Sequence, residues 1–247
     1  MKKMTYVASL FAFGLISGVA HADFTTELNA SVVKADDLKV FGLGGSYYFD
    51  RVNTNKGPLA EAAFLDKQSS VDAVFTRFDY DGNNLNAWAL AGTYVVQGSG
   101  LYLNASVAHL NGYSEDIYGF GGGYYLSRDL TVYVDTEFDE DLNYLGMSLG
   151  SKKLFDLGSE RYVSLQGVYN NPDEGDDSFA LSSDFYLNRA LSVGFGYEWA
   201  DKFSDGISSV RSQWFVNKQF AVSAEVSYAD YDSGSDTSYM LGATMRF

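Results

Sequence analysis

Apolar and polar side chains alternate at period two almost continuously from residue 24 to the end of the chain. Leu130, Val132, Val134, Thr136 and Phe138 share one parity, with Thr131, Tyr133, Asp135 and Glu137 on the other. Leu191, Val193, Phe195, Tyr197 and Trp199 alternate with Ser192, Gly194, Gly196 and Glu198. Phe220, Val222, Ala224, Val226 and Tyr228 alternate with Ala221, Ser223, Glu225 and Ser227. Successive side chains of an extended backbone point to opposite faces, so this spacing predicts strands with one apolar and one polar face. The last residues follow the same rule and end on a bare aromatic, with Tyr239, Leu241, Ala243, Met245 and Phe247 on the apolar parity.

Two classes of connection separate these segments. Short ones read "QGSG" (97–100), "SRD" (127–129), "NRA" (188–190) and "NKQ" (217–219). Acidic ones read "KADD" (34–37), "DYDGNN" (79–84), "SED" (114–116), "DED" (139–141), "NPDEGDD" (171–177), "DKFSDG" (201–206) and "DYDSGSD" (230–236). Their alternation along the chain sets tight turns at one rim and acidic loops at the other, which is the layout of an outer-membrane barrel. Fourteen strands follow, from 24–33 to 237–247, with both termini on the tight-turn rim. The third, 59–78, is interrupted by "DKQSS" (66–70), and twelve or sixteen strands stay open. A soluble sandwich would also alternate. Against it, Phe49, Phe138, Trp199, Tyr228 and Phe247 close the apolar face at strand ends, where aromatic girdles meet the lipid headgroups. The expected fold is therefore all-β: a closed antiparallel transmembrane β-barrel.

Composition sharpens this picture. Residues 1–22 carry Lys2 and Lys3, an apolar run from Tyr6 to Ile16 and the small-x-small site Ala20-His21-Ala22, which predicts a secretory signal peptide cleaved after Ala22. The barrel domain then covers 23–247, and the expected location is the outer membrane of a Gram-negative cell. Loss of the two lysines takes the formal charge from -15 to -17, which argues against nucleic acid as a partner. Cys 0 excludes disulfides and thiolate metal sites. No later stretch reaches the roughly 20 apolar residues of a membrane helix.

If the apolar parity meets lipid, the other parity meets the interior. It holds Glu27, Asp135, Glu137, Asp184, Glu198, Arg211, Glu225 and Arg246, the expected pore-lining residues. Isolated charges do not sit in a dry core without partners, so the interior is expected to hold water. Barrels of about eight strands fill with side chains and those of about sixteen leave a channel. An open pore and a lumen closed by Glu–Arg pairs both remain open at this point. No connection is long enough to be expected to fold back as a plug. The acidic mouth would favour cations.

Catalytic and cofactor motifs are poor. "GMSLG" (146–150) matches a nucleophile elbow around Ser148, but lies inside a strand with no helix following, and His109 falls toward the opposite rim. "DYDG" (79–82) lacks the rest of a calcium loop. "FGLGG" (41–45) and "GFGGG" (119–123) lack the helix of a phosphate loop and read as bends or close packing. No enzyme activity and no cofactor are expected.

"GGSYYFDRVNTNKGPLAEAAFL" (44–65) is more specific, and resembles the signature turn of the putative general bacterial porin family through Pro58, Leu59, Glu61, Ala62, Ala63, Phe64 and Leu65. The resemblance implies an outer-membrane barrel that passes small hydrophilic solutes, surrounded by outer-membrane lipid and lipopolysaccharide. The terminal strand ending in Phe247 resembles the signal that barrel assembly machinery recognises in outer-membrane barrels as a class. Neither solute identity nor oligomeric state follows from it.

Overall fold

The computed structural model describes residues 23–80, 82–111, 116–200, 206–231 and 234–247. Residues 1–22, with the expected export signal, lie outside the described residues, as do parts of the 114–116, 201–206 and 230–236 loops. Fourteen strands form one closed antiparallel ring. They are β1 (Phe24–Ala35), β2 (Leu38–Val52), β3 (Ser70–Tyr80), β4 (Asn83–Val95), β5 (Leu101–Leu110), β6 (Asp116–Ser127) and β7 (Leu130–Phe138). The second half comprises β8 (Tyr144–Gly158), β9 (Arg161–Pro172), β10 (Ser178–Tyr186), β11 (Leu191–Ala200), β12 (Gly206–Asn217), β13 (Phe220–Tyr231) and β14 (Gly234–Arg246).

Closure is made by the first and last strands. Leu28 faces Met245, Ala30 faces Ala243 and Val32 faces Leu241 across the β1–β14 seam. The backbone of Phe247 finishes the ladder: its carbonyl accepts from Thr25 and Thr26 N–H at 2.8 and 3.2 Å, and its own N–H donates to Thr26 at 2.9 Å. In hydrocarbon every backbone polar group must be satisfied within the protein, so a sheet lacking this seam would expose two unpaired edges to lipid.

The alternation resolves into two faces as its period requires. The exposed large hydrophobics, among them Leu28, Val32, Leu43, Leu90, Leu103, Phe120, Leu181, Phe195, Val210 and Leu241, hold the outward parity of their strands. Aromatic rings concentrate toward strand ends, with Phe138 beside Tyr144 at 6.2 Å and Phe179 beside Trp199 at 4.7 Å near the acidic rim, and Tyr47 beside Phe49 at 5.8 Å near the other.

One expectation is corrected. The segment 59–78 is not a single strand: following a 3-10 turn at Thr54–Lys56, its first part forms a second 3-10 turn, Leu59–Glu61, and a short helix α1, Ala62–Asp66, before β3 begins at Ser70. Ala, Leu and Glu are strong helix formers, and Lys67, in the left-handed conformation, closes α1 with its N–H bonded to Ala63 O at 3.0 Å.

Depth in the bilayer should decide the cost of a charge on the outer face. Leu241 and Leu142 are equally exposed at 68%, but Leu241 sits mid-strand and Leu142 in an acidic-rim loop. Leu241→Arg is expected to lower stability by about 2–4 kcal/mol and Leu142→Arg by about 0–1 kcal/mol, read by urea titration of protein folded into vesicles.

Candidate functional site

The inward parity is polar over much of the ring, and its charges are placed by a repeated device. Asp184 on β10, Gly194 on β11 and Arg211 on β12 stand in one row of the register. The absence of a side chain at Gly194 leaves a slot through which the guanidinium reaches the carboxylate, Nε to Oδ1 and Nη2 to Oδ2, both at 2.8 Å. A Cβ at Gly194 would collide with Asp184 Oδ1 and come within 2.9 Å of Arg211 Nε. The same arrangement recurs across β6, where Gly121 separates Asn104 from Asp135 and the amide donates to Asp135 Oδ1 at 2.7 Å. These pairs lie flat along the wall. The glycine-rich run 119–123 thus serves lateral bridging as well as close packing.

Further carboxylates stand on the inner face, Asp72 among them, which accepts from Ser70 Oγ at 2.9 Å. Glu198 accepts from Ser178 Oγ at 3.4 Å, Glu225 accepts from Ser227 Oγ at 3.0 Å, and Glu137 lies two residues from Asp135 on β7. Asp135, Glu137, Asp184, Glu198, Arg211 and Glu225 all retain some solvent exposure. Glu27 and Arg246 differ: they are 2% and 1% exposed and paired at 2.7 Å, with the guanidinium carbon 4.8 Å from the Phe24 ring and 4.9 Å from that of Phe215. They belong to packing at the terminal rim rather than to a wetted wall.

That packing is organised by the inserted segment 53–69, which overturns the expectation that no connection folds back. In a ring of fourteen, β9 stands opposite β2, and the segment reaches that far wall. Leu59 and Ala62 pack with Phe24, Tyr48, Val52, Phe215 and Ala221. Leu65 packs with Leu154 and Tyr186.

Polar anchors fix it there. Tyr186 OH donates to Glu61 Oε1 at 2.7 Å. The Lys152 ammonium lies 2.7 Å from Oε2 of the same carboxylate as an ion pair, off the line of a straight hydrogen bond. The Leu59 N–H donates to Arg189 O at 2.7 Å, and Arg189 donates in return to Gly57 O at 2.9 Å and to Thr54 O. Asp66 gathers the two ends of the segment, accepting from Asn53 N–H at 2.8 Å and Gln68 Nε2 at 2.9 Å, and pairing with Lys56.

Sequence reasoning left Lys152, Tyr186 and Arg189 unassigned and gave Glu61 no partner. The available signal was the break in alternation at 66–70.

At the acidic rim, Asp139 is lowered from the ordinary aspartate value by hydrogen bonds from Asn143, side chain first and then backbone, with a further one from Asp141 N–H. Asp177 is lowered by Tyr169 OH and then the Asn171 amide. Both sets of hydrogen bonds favour the ionised form of the carboxylate. Ser148 is not joined by His109. Its hydroxyl donates inward to Asn170 Oδ1 at 2.7 Å, whereas His109 lies on the outer face, stacked on Trp88 and 2.6 Å from Asp116.

The comparisons with known proteins agree with this architecture. The family described as putative general bacterial porin matches residues 1–247. No curated protein matches the sequence. Among solved structures, the Acinetobacter baumannii outer membrane protein Omp33 is similar at a TM-score of 0.77 with 22% identity, over 92% of this chain and 100% of that one. The KdgM porin in complex with disordered oligogalacturonate is similar at 0.52 with 12% identity, over 90% of this chain and 99% of that one. Pseudomonas putida OprB, in a low-pH structure, is similar at 0.51 with 11% identity, over 92% and 93%.

Removing the buried Glu61 carboxylate leaves the partly buried Lys152 without its counter-charge, where breaking a fully buried pair costs roughly 3–5 kcal/mol. Glu61→Ala should therefore loosen 53–69 locally while the strands hold. Hydrogen exchange at Leu59 and Lys67 N–H should rise by about 100-fold or more, with the β1–β14 seam unchanged.

Proposed function

The chain belongs to the putative general bacterial porin family, and from that premise we propose that it passes small hydrophilic solutes through the barrel by passive diffusion, with a mild preference for cations. The observation that carries this reading is the composition of the inner face. Asp135, Glu137, Glu198 and Glu225 line it with no ion-pair partner within 4 Å among the described residues, whereas Arg211 is already committed to Asp184. Carboxylates held in a narrow aqueous space attract cations and disfavour anions, and salt weakens the effect. The acidic loops extend the same field to the mouth.

The inserted segment supplies the restriction in this reading. It occupies the terminal rim, which tight turns assign to the periplasmic side in barrels of this class. Its anchors hold one short piece of chain, so opening it requires local rearrangement and leaves the strand ladder intact. A second reading, a structural barrel with a shut lumen and acidic loops that meet ions or a partner, is favoured by the same anchors: Glu61, Arg189 and Leu65 tie the segment to the far wall.

Planar-bilayer recording separates the two. Stepwise currents are expected from the purified mature chain. Replacement of 54–68 by a short Gly/Ser linker should raise unit conductance several-fold. The triple change Glu137→Gln, Glu198→Gln and Glu225→Gln should lower the cation-to-anion permeability ratio toward one, most clearly at low salt. Silence from both the wild type and the linker variant would leave only the structural barrel.

A further inference from the structure

The bases of this chain are unevenly placed. Arg51, Lys56, Lys67, Arg128, Lys152, Lys153, Arg161, Arg189, Lys218 and Arg246 belong to the tight-turn half of the barrel, and Arg211 bridges the inner wall. Among the described residues, three cations stand toward the acidic rim: Lys34 on β1, Lys39 on β2 and Arg77 on β3. All three have the outward parity and are exposed.

The register makes them one cluster. Lys34 and Lys39 are directly opposite each other across the β1–β2 pair, and Arg77 is opposite Phe41, one outward position below Lys39. Like charges directly opposite on one face of an antiparallel pair are destabilising. Among the described residues neither ammonium has an ion pair. Asp79 faces Lys39 across the β2–β3 pair without an ion pair forming, and Arg77 donates to Asn84 Oδ1 at 3.2 Å. Asp36 and Asp236 border the groove beside Lys34, with Tyr239 opposite it.

Beneath the cations the same three strands present bare hydrocarbon surface. Val32, Phe41, Leu43 and Phe75 are 52%, 41%, 46% and 41% exposed on the outward parity. The surface is therefore bipartite: a triad of positive charges toward the acidic rim over an apolar stripe on the same strands. A free anion would use only the upper half, and an uncharged lipid only the lower.

We propose that Lys34, Lys39 and Arg77 form a docking surface for the phosphorylated headgroup of an outer-leaflet glycolipid of the lipid A type, whose acyl chains lie on the stripe below. Phosphate placed between Lys34 and Lys39 relieves their repulsion, and the guanidinium of Arg77 can bind it bidentately. The inference rests on the outer-membrane placement and not on solute passage.

Native mass spectrometry of the mature chain in detergent, with chelator present to remove bridging divalent ions, tests this. Bisphosphorylated lipid A should form a one-to-one adduct that fully dephosphorylated lipid A forms at least tenfold less well. Phosphatidylglycerol and inorganic phosphate at equal concentration should not displace it. The triple variant Lys34→Gln, Lys39→Gln and Arg77→Gln should lose the adduct by tenfold or more, while Lys153→Gln, an outward cation near the other rim, should keep it. Equal binding of the dephosphorylated lipid, displacement by either competitor, or full retention by the triple variant would overturn the proposal. Should the triple variant fail to fold, as judged by migration of unheated samples in gels, the lipid and competitor comparisons on the wild type still decide. Unit conductance measured in parallel tells failure here from failure of the pore.

Discussion

Hydrogen-bond closure is the constraint on which everything else in this protein depends. A strand in hydrocarbon has no water to satisfy its edge, so the first and last strands must meet, and they do so in a register that sets Leu28, Ala30 and Val32 against Met245, Ala243 and Leu241. Once that seam is fixed, parity is fixed around the ring, because a slip of one residue would turn every lipid-facing side chain inward. The terminal Phe247 is part of this closure through its backbone, which completes the ladder with Thr25 and Thr26.

The interior is then free to be polar, and it solves the problem of buried charge in two ways. Along the wall, glycines on an intervening strand let Asp184 reach Arg211 and Asp135 reach Asn104 without crossing the bore. At the terminal rim, the polar groups are instead enclosed by packing: Glu27 and Arg246 among Phe24 and Phe215, and Glu61 between Lys152 and Tyr186. The buried hydrophobic clusters of this chain gather at that end and include the inserted segment.

Much of the fold was legible in the sequence because period two is a strong signal when one face meets lipid. Strand number, the two rims and the inward parity of the eight expected residues follow from it, and β5, β7 and β11 begin and end where alternation places them. Alternation places the start of a strand at 59–66, although Leu59, Ala60, Glu61, Ala62 and Ala63 carry helix propensity. Their destination was not legible at all. The partners of Glu61 lie on β8 and β10, some ninety and more residues away, and no local spacing encodes such a contact. Burial of Glu27 and Arg246 was hidden for the same reason, since what covers them arrives from elsewhere in the chain.

The inserted segment is continuous at both ends with neighbouring strands, β2 and β3, which are themselves zipped together from Tyr48 to Leu38. It is therefore a leash and not a cork. Fully drawn out, residues 53–69 span about 56 Å of contour, enough to clear the rim without leaving the molecule. Any displacement of the segment is thus an intramolecular rearrangement over a short tether, independent of protein concentration and of any soluble partner.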